Sequence, residues 1–207
     1  MKRVARITSA TYVILFIMLC AFSSSAETGP YGEDLSSWSS FARSQDAKEL
    51  VGWMNRSMKD ILSGSDSAGK LSVRTPEFYG SLGLFVTLVR DGKTRGCFGA
   101  FHHSSENLQD VLTEYLRGAL RSDPRYAPLE LHECDRTRVV LTVASQALPV
   151  DDVRTVDLSR YGVRATCESE EIIVFVPFEV KTLDFLRRSL KGRSVAEYAV
   201  FRAVTIR

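Results

Sequence analysis

Cys97 sits between Gly96 and Gly99, two residues from Arg95, in the run Phe85–Gly99 (FVTLVRDGKTRGCFG). A thiol becomes a nucleophile as its thiolate, and Arg95 or Arg125 could stabilise that charge while the flanking glycines leave room for a substrate or expose backbone donors. His102 or His103 could act as the base, oriented by Glu114 or Asp123. Such a set would serve acyl transfer, thiol chemistry or hydrolysis. The same arginines equally suit a noncatalytic cleft: Arg95 and Arg125 can each grip a carboxylate or phosphate in bidentate fashion, with Tyr126 or Phe98 closing over an apolar portion. A third reading makes Cys97 a small buried residue, its glycines serving packing and an arginine paired to Asp123.

Metal chemistry has less support. Thiolate and imidazole both suit zinc or copper, but adjacent histidines on a strand point to opposite faces, and His132-Glu133-Cys134 belongs to no repeated Cys-x-x-Cys pattern. No metal is expected and no cofactor is identified. A GxGxxG fingerprint and regular βαβ alternation are both missing, which argues against a dinucleotide fold.

The elements that must position these residues follow from periodicity. Leu50, Trp53, Met54, Met58, Ile61 and Leu62 recur at three- and four-residue spacings, predicting a helix over Ala47–Leu62. Leu82–Val89 favours a strand, Asp91-Gly92 a tight turn, and Thr94–Phe101 a returning strand that Gly96 and Gly99 should bulge or bend. A second helix, capped by Ser104 or Ser105, should bury Leu108, Val111, Leu112, Tyr115, Leu116 and Leu120. Arg138–Ala144 reads as a strand, and Val163–Cys167 with Ile172–Val176 as a hairpin around the acidic turn at Glu168–Glu171. Thr182–Leu190 reads as a short helix, and Tyr198–Ile206 as one closing strand. This order predicts an α+β fold with helices packed on a mainly antiparallel sheet.

Lys2, Arg3 and Arg6, an apolar run Tyr12–Phe22 and Ser23-Ser24-Ser25-Ala26 have the order of a cleavable leader. Eleven helical residues rise only about 16 Å, short of the roughly 30 Å hydrocarbon core. Cleavage after Ala26 would leave 181 residues with 24 basic and 25 acidic side chains, a formal charge of −1 where the full chain has +2. Export to the periplasm is the expectation; retention of the run, or lipidation of Cys20, would instead anchor the domain to the membrane. The near-neutral charge gives a nucleic-acid partner little electrostatic support. Cys97, Cys134 and Cys167 remain, an odd set in which a Cys134–Cys167 bridge is one option and burial as small hydrophobes the other. The domain reading is a leader over 1–26, a linker or flexible arm over 27–44 and one domain over 45–207.

Two blocks in this order, Phe85-Val86-Thr87-Leu88 with Gly92 and Arg95-Gly96-Cys97-Phe98-Gly99, then Asp123-Pro124-Arg125-Tyr126 followed by Pro128-Leu129, resemble the AMMECR1-domain family over roughly Ala47–Ile206. The resemblance implies a two-lobed α+β fold with the motif residues near a cleft, an activity proposed to be enzymatic but without a demonstrated reaction, and a helix from Ala47 with the loop Ser63–Ser81 in the smaller lobe. Family relatives beside radical-chemistry and Memo-like proteins hint at a shared pathway. The chain departs from the family in its leader, in Phe98 where isoleucine is more usual, and in Val176-Pro177-Phe178 where Leu-Pro-Gln is expected.

Overall fold

The computed structural model describes residues 35–65, 69–80, 82–177 and 179–207. The leader and the first part of the expected linker lie outside these. Its first element is a short helix, α1 (Ser36–Phe41), in the stretch read as an arm. Trp38 and Phe41 are buried there, and the Trp38 indole N–H donates to the Glu77 carbonyl at 2.9 Å. The aromatics scattered among serines are therefore core residues of a six-residue helix too short to show a helical period. The apolar stripe predicted from Ala47 forms α2 (Gln45–Leu62), capped by Ser44, whose hydroxyl accepts from the Ala47 amide.

The first sheet runs in the order β2 (Lys93–Ala100), β1 (Gly83–Arg90), β3 (Thr137–Ala144), β8 (Ala203–Ile206), all antiparallel. Asp91 and Gly92, at φ 52° and 75°, make the two-residue turn between β1 and β2, the left-handed pair that matches strand twist. The register slips between Leu88 and Val89 opposite Arg95. A bulge therefore falls in the strand that Gly96 and Gly99 marked, and it re-aims Arg95.

Alternation along β1 divides the core. Leu84, Val86 and Leu88 join α1, α2 and α3 (Leu108–Arg121) in the main apolar cluster, while Phe85 belongs to a separate cluster on the other face. The N-cap of α3 is Asn107, not either expected serine: its side chain accepts from the Gln109 and Asp110 amides. The helix from Ala47 packs in this larger core and not in a smaller lobe, because its stripe faces α3 and β3.

The second sheet runs β4 (Leu148–Val150), β7 (Val195–Phe201), β5 (Gly162–Cys167), β6 (Ile172–Phe175), also antiparallel. Its own core takes Leu183, Leu186 and Leu190 from around α4 (Leu183–Ser189). The single closing strand expected over Tyr198–Ile206 is two strands in different sheets. The break is at Arg202, whose carbonyl accepts from the Ser145 amide at 2.9 Å while its own amide donates to the Ser145 hydroxyl at 3.1 Å. Where the sheets meet, Phe201 stacks on Phe85 with centroids 6.1 Å apart and meets Phe101 edge-on at 5.3 Å.

Candidate functional site

Cys97 and Gly99 lie on the face of β2 opposite the helices, because Gly96 and Phe98 take the helix side. A Cβ at Gly96 would stand 2.2 Å from the Ala119 carbonyl oxygen of α3, and the Phe98 ring sits where a Cβ on Gly118 would be, 2.3 Å from its nearest atom. Gly99 is equally committed, since its Cβ would fall 2.1 Å from the Leu84 carbonyl oxygen. Both glycines serve close backbone approach, and Gly99 in addition borders a cavity of about 870 Å³.

That cavity lies between the outer face of β2 and the edge strand β6. Phe85, Cys97, Asp123, Arg125 and Tyr126 line one side, and Ile172–Phe175, Glu179, Lys181 and Phe185 the other. Ile172 and Phe185 are exposed apolar side chains, and Lys93 and Lys181 are exposed bases on the same lining.

The loop after α3 supplies the polar centre. Asp123 is buried and accepts three kinds of donor: the Cys97 amide at 2.8 Å, the Arg125 amide at 3.0 Å, and Arg125 Nε and Nη2 at 2.9 and 2.8 Å. Burial alone would raise its pKa, but the Arg125 hydrogen bonds and charge outweigh this and hold the carboxyl below the usual carboxylate range. The Arg125 guanidinium lies 5.5 Å from the centre of the Tyr126 ring and turns Nη1 toward Glu179 Oε1, 3.8 Å away. Burial opposes its charge, yet Asp123 and Glu179 together raise its pKa.

Glu179 was not singled out from sequence. It follows Val176-Pro177-Phe178, the block that departs from Leu-Pro-Gln, and only the fold returns it to the cleft. Its Oε2 accepts the Val176 amide at 3.3 Å, and its carboxylate meets the Thr94 hydroxyl. Oε1 has no hydrogen-bond partner among the described residues. Burial pushes its pKa up, with Arg125, Thr94 and the Val176 amide pulling the other way.

The Cys97 thiol accepts a hydrogen bond from Thr87, its cross-strand partner, at 3.3 Å. Burial, then the Glu179 charge, push its pKa up to about 12, against smaller lowering from Thr87 and Arg125. The thiol is therefore protonated at neutral pH, where the nucleophile reading requires a thiolate.

The remaining candidates do not gather here. Arg95, at the bulge, donates to Glu133 through Nε and Nη2 at 3.1 and 2.9 Å and to the carbonyls of Ala127 and Pro128. Arg90 also pairs with Glu133, and Arg95 is not part of the cavity lining. His103 is on the helix side, its Nε2 2.7 Å from the Leu82 carbonyl and its Nδ1 2.8 Å from the Tyr115 hydroxyl. A carbonyl can only accept, so Nε2 carries the proton and Nδ1 accepts from Tyr115. His102 is exposed and, like His103, outside the cavity lining; Glu114 accepts from Ser104. Among the described residues no three His, Cys, Asp or Glu side chains gather as metal ligands. Cys134 and Cys167 are both free and buried, Cys134 in the main core and Cys167 at the end of β5.

The family model described as AMMECR1 matches residues 52–189. Among curated proteins, one from Thermotoga maritima is 35% identical over 82 residues, 39% of this chain and 47% of that protein. Another from Methanococcoides burtonii is 30% identical over 100 residues, 45% and 50% of the two chains. The chain spans about half the length of these curated relatives. The crystal structure of the uncharacterised protein PH0010 from Pyrococcus horikoshii shares the fold, with TM-score 0.59 at 18% identity over 78% of this chain and 90% of that one.

Proposed function

This chain belongs to the AMMECR1 family, and we propose that it is an exported small-molecule-binding domain whose ligand occupies the cleft beside Cys97, Asp123, Arg125, Tyr126 and Glu179. The observation that carries this reading is the cavity of about 870 Å³ between the two sheets, where aromatic and aliphatic side chains meet the Asp123, Arg125 and Glu179 cluster, with Lys93, Lys181 and the paired Glu171 and Arg193 also on the lining. Its size and its mix of apolar wall with a few convergent polar groups are those of a ligand pocket. Lys93 and Lys181 supply attraction for an anionic portion at the mouth, beside the exposed Ile172 and Phe185. Arg95 belongs to the frame, because Glu133 and two carbonyls occupy its donors.

A cysteine-dependent enzyme has less behind it. The thiol is protonated at neutral pH, and His103 holds a Tyr115 hydroxyl and a Leu82 carbonyl on the helix side of the first sheet.

A fragment set screened by ligand-observed NMR against the chain from Glu27 tests the reading. Saturable hits should weaken at least tenfold in Tyr126→Ala or Ile172→Asp while the unfolding midpoint stays within a few degrees. Hits unaffected by either change, or none at millimolar concentration, would reject the cleft. Export rests on the order of basic, apolar and small residues over 1–26; alkaline phosphatase fused after residue 34 should be active and begin at Glu27, and an inactive cytosolic fusion would reject it. Among the described residues no helix is long and apolar enough to cross a membrane.

A further inference from the structure

The Glu179 side chain is 4% exposed and borders the cavity, yet Oε1 accepts no hydrogen bond from the described chain. Oε2 accepts from the Val176 amide and the Thr94 hydroxyl meets the carboxylate, which leaves Oε1 the oxygen without a hydrogen bond. Arg125 Nη1 stands 3.8 Å from it, on a guanidinium whose Nε and Nη2 both go to Asp123. The cleft wall thus sets one unfilled acceptor beside the one guanidinium nitrogen that Asp123 does not engage. A buried polar atom without a hydrogen bond is rare and asks for a donor.

We propose that this end of the cleft selects a planar, neutral amide-type group, such as a primary amide, lactam or ureide, whose N–H donates to Glu179 Oε1 while its carbonyl accepts from Arg125 Nη1. The inference rests on the cleft reading above and names the chemistry of its ligand. A carboxylate would set a second oxygen against Oε1, and an amidinium would set N–H groups against Arg125. An amide presents one acceptor and one donor side by side, which is the complement of the pair. Phe85 and Tyr126 on one side of the cavity and Phe175 on the other suit the flat faces of such a group.

Benzoate, benzamide and benzamidine share one ring and differ only in this head group, so their affinities isolate it. Measured by NMR titration of the chain from Glu27 at pH 8, with Tyr126 and Ile172 resonances locating the site, benzamide should bind at least tenfold tighter than either relative. Glu179→Gln supplies the decisive variant. The Val176 amide requires an acceptor, so the glutamine oxygen takes the place of Oε2 and its NH2 replaces Oε1, turning the acceptor into a donor. Benzamide should then lose at least tenfold and benzoate should gain, in a protein whose unfolding midpoint is unchanged or higher, because burial penalises the Glu179 charge and Asp123 still pairs Arg125. Benzoate or benzamidine matching benzamide at the cleft, or a Glu179→Gln protein with the wild-type order of preference, would overturn the inference while leaving the cleft reading standing. If none of the three shifts Tyr126 or Ile172 the inference also fails, and fragment hits sensitive to Tyr126→Ala would show that the cleft itself survives.

Discussion

The backbone N–H of Cys97 donates to Asp123 Oδ2 at 2.8 Å. That bond ties the two motif blocks together: the middle of β2 is held to the loop after α3, and the same carboxylate clamps Arg125 at the cleft wall. Asp123 is the keystone of the site, and the thiol beside it is a neighbour of that bond rather than its purpose.

Asp123→Asn should therefore destabilise the fold. It leaves the half-buried guanidinium with only the more distant Glu179 as counter-charge and puts a neutral acceptor in place of the carboxylate at a strand amide, a loss of about 3 kcal/mol by urea titration at pH 7. The native carboxyl titrates below its unfolded value, so its contribution is full above about pH 4 and is lost as pH falls through the lower folded pKa. In the variant the Cys97 amide should exchange with deuterium faster than its neighbours in β2.

Cys97 should resist alkylation. With its thiol pushed up to about 12, against about 8.5 for a free cysteine, iodoacetamide labelling at pH 8 should run at least tenfold slower than for a free thiol. Glu179→Gln should speed it, since the Glu179 charge is the second contributor to the shift. Fast labelling with a midpoint near or below 8.5 would revive the nucleophile.

His103 is neutral in the native state, and burial lowers its pKa from 6.5. The unfolded chain takes up a proton that the native state refuses, so this contribution to stability is present above about pH 6.5 and declines as pH falls toward the folded value. Glu179, with its raised pKa, acts in the opposite sense: its contribution declines as pH rises from the acid side. The comparison is therefore between wild type and His103→Gln, whose difference in unfolding free energy should shrink between pH 7.5 and pH 5.

Gly96→Ala should cost at least about 2 kcal/mol, because its Cβ would meet the Ala119 carbonyl and force β2 away from α3. Gly92→Ala meets no atom within 4 Å and carries only the left-handed backbone cost, about 1 kcal/mol. Equal losses in chemical denaturation would refute the close-approach reading of Gly96.

Arg95→Met should lower stability by about 2–4 kcal/mol, since it leaves the buried Glu133 carboxylate with the half-exposed Arg90 as counter-charge and the Glu130 amide as its remaining donor. Fragment affinities at the cleft should remain within about twofold, which separates a framing arginine from Arg125, which lines the cavity.

Periodicity and turn chemistry determined most of the local structure by themselves. The stripe of α2, the Asp91-Gly92 hairpin, the apolar face of α3 and the hairpin at Glu168–Glu171 are each written within a dozen residues, where side-chain direction follows directly from backbone period. The motif spacing also marked Cys97, Asp123, Arg125 and Tyr126, which do converge. Tertiary structure alone decided the rest. Arg202 divides one apolar run between two sheets, because a strand's period cannot say which neighbour it will pair with. The bulge opposite Leu88 and Val89 turns Arg95 to Glu133, and β2's pleat sends Gly96 and Phe98 to the helices and Cys97 to the cleft. Glu179, 56 residues beyond Asp123 in a segment with no chemical pattern, reaches Arg125 only through folding. Whether a charged side chain frames a fold or faces a ligand depends on which of its atoms the finished fold leaves unpaired, and no spacing in the sequence records that.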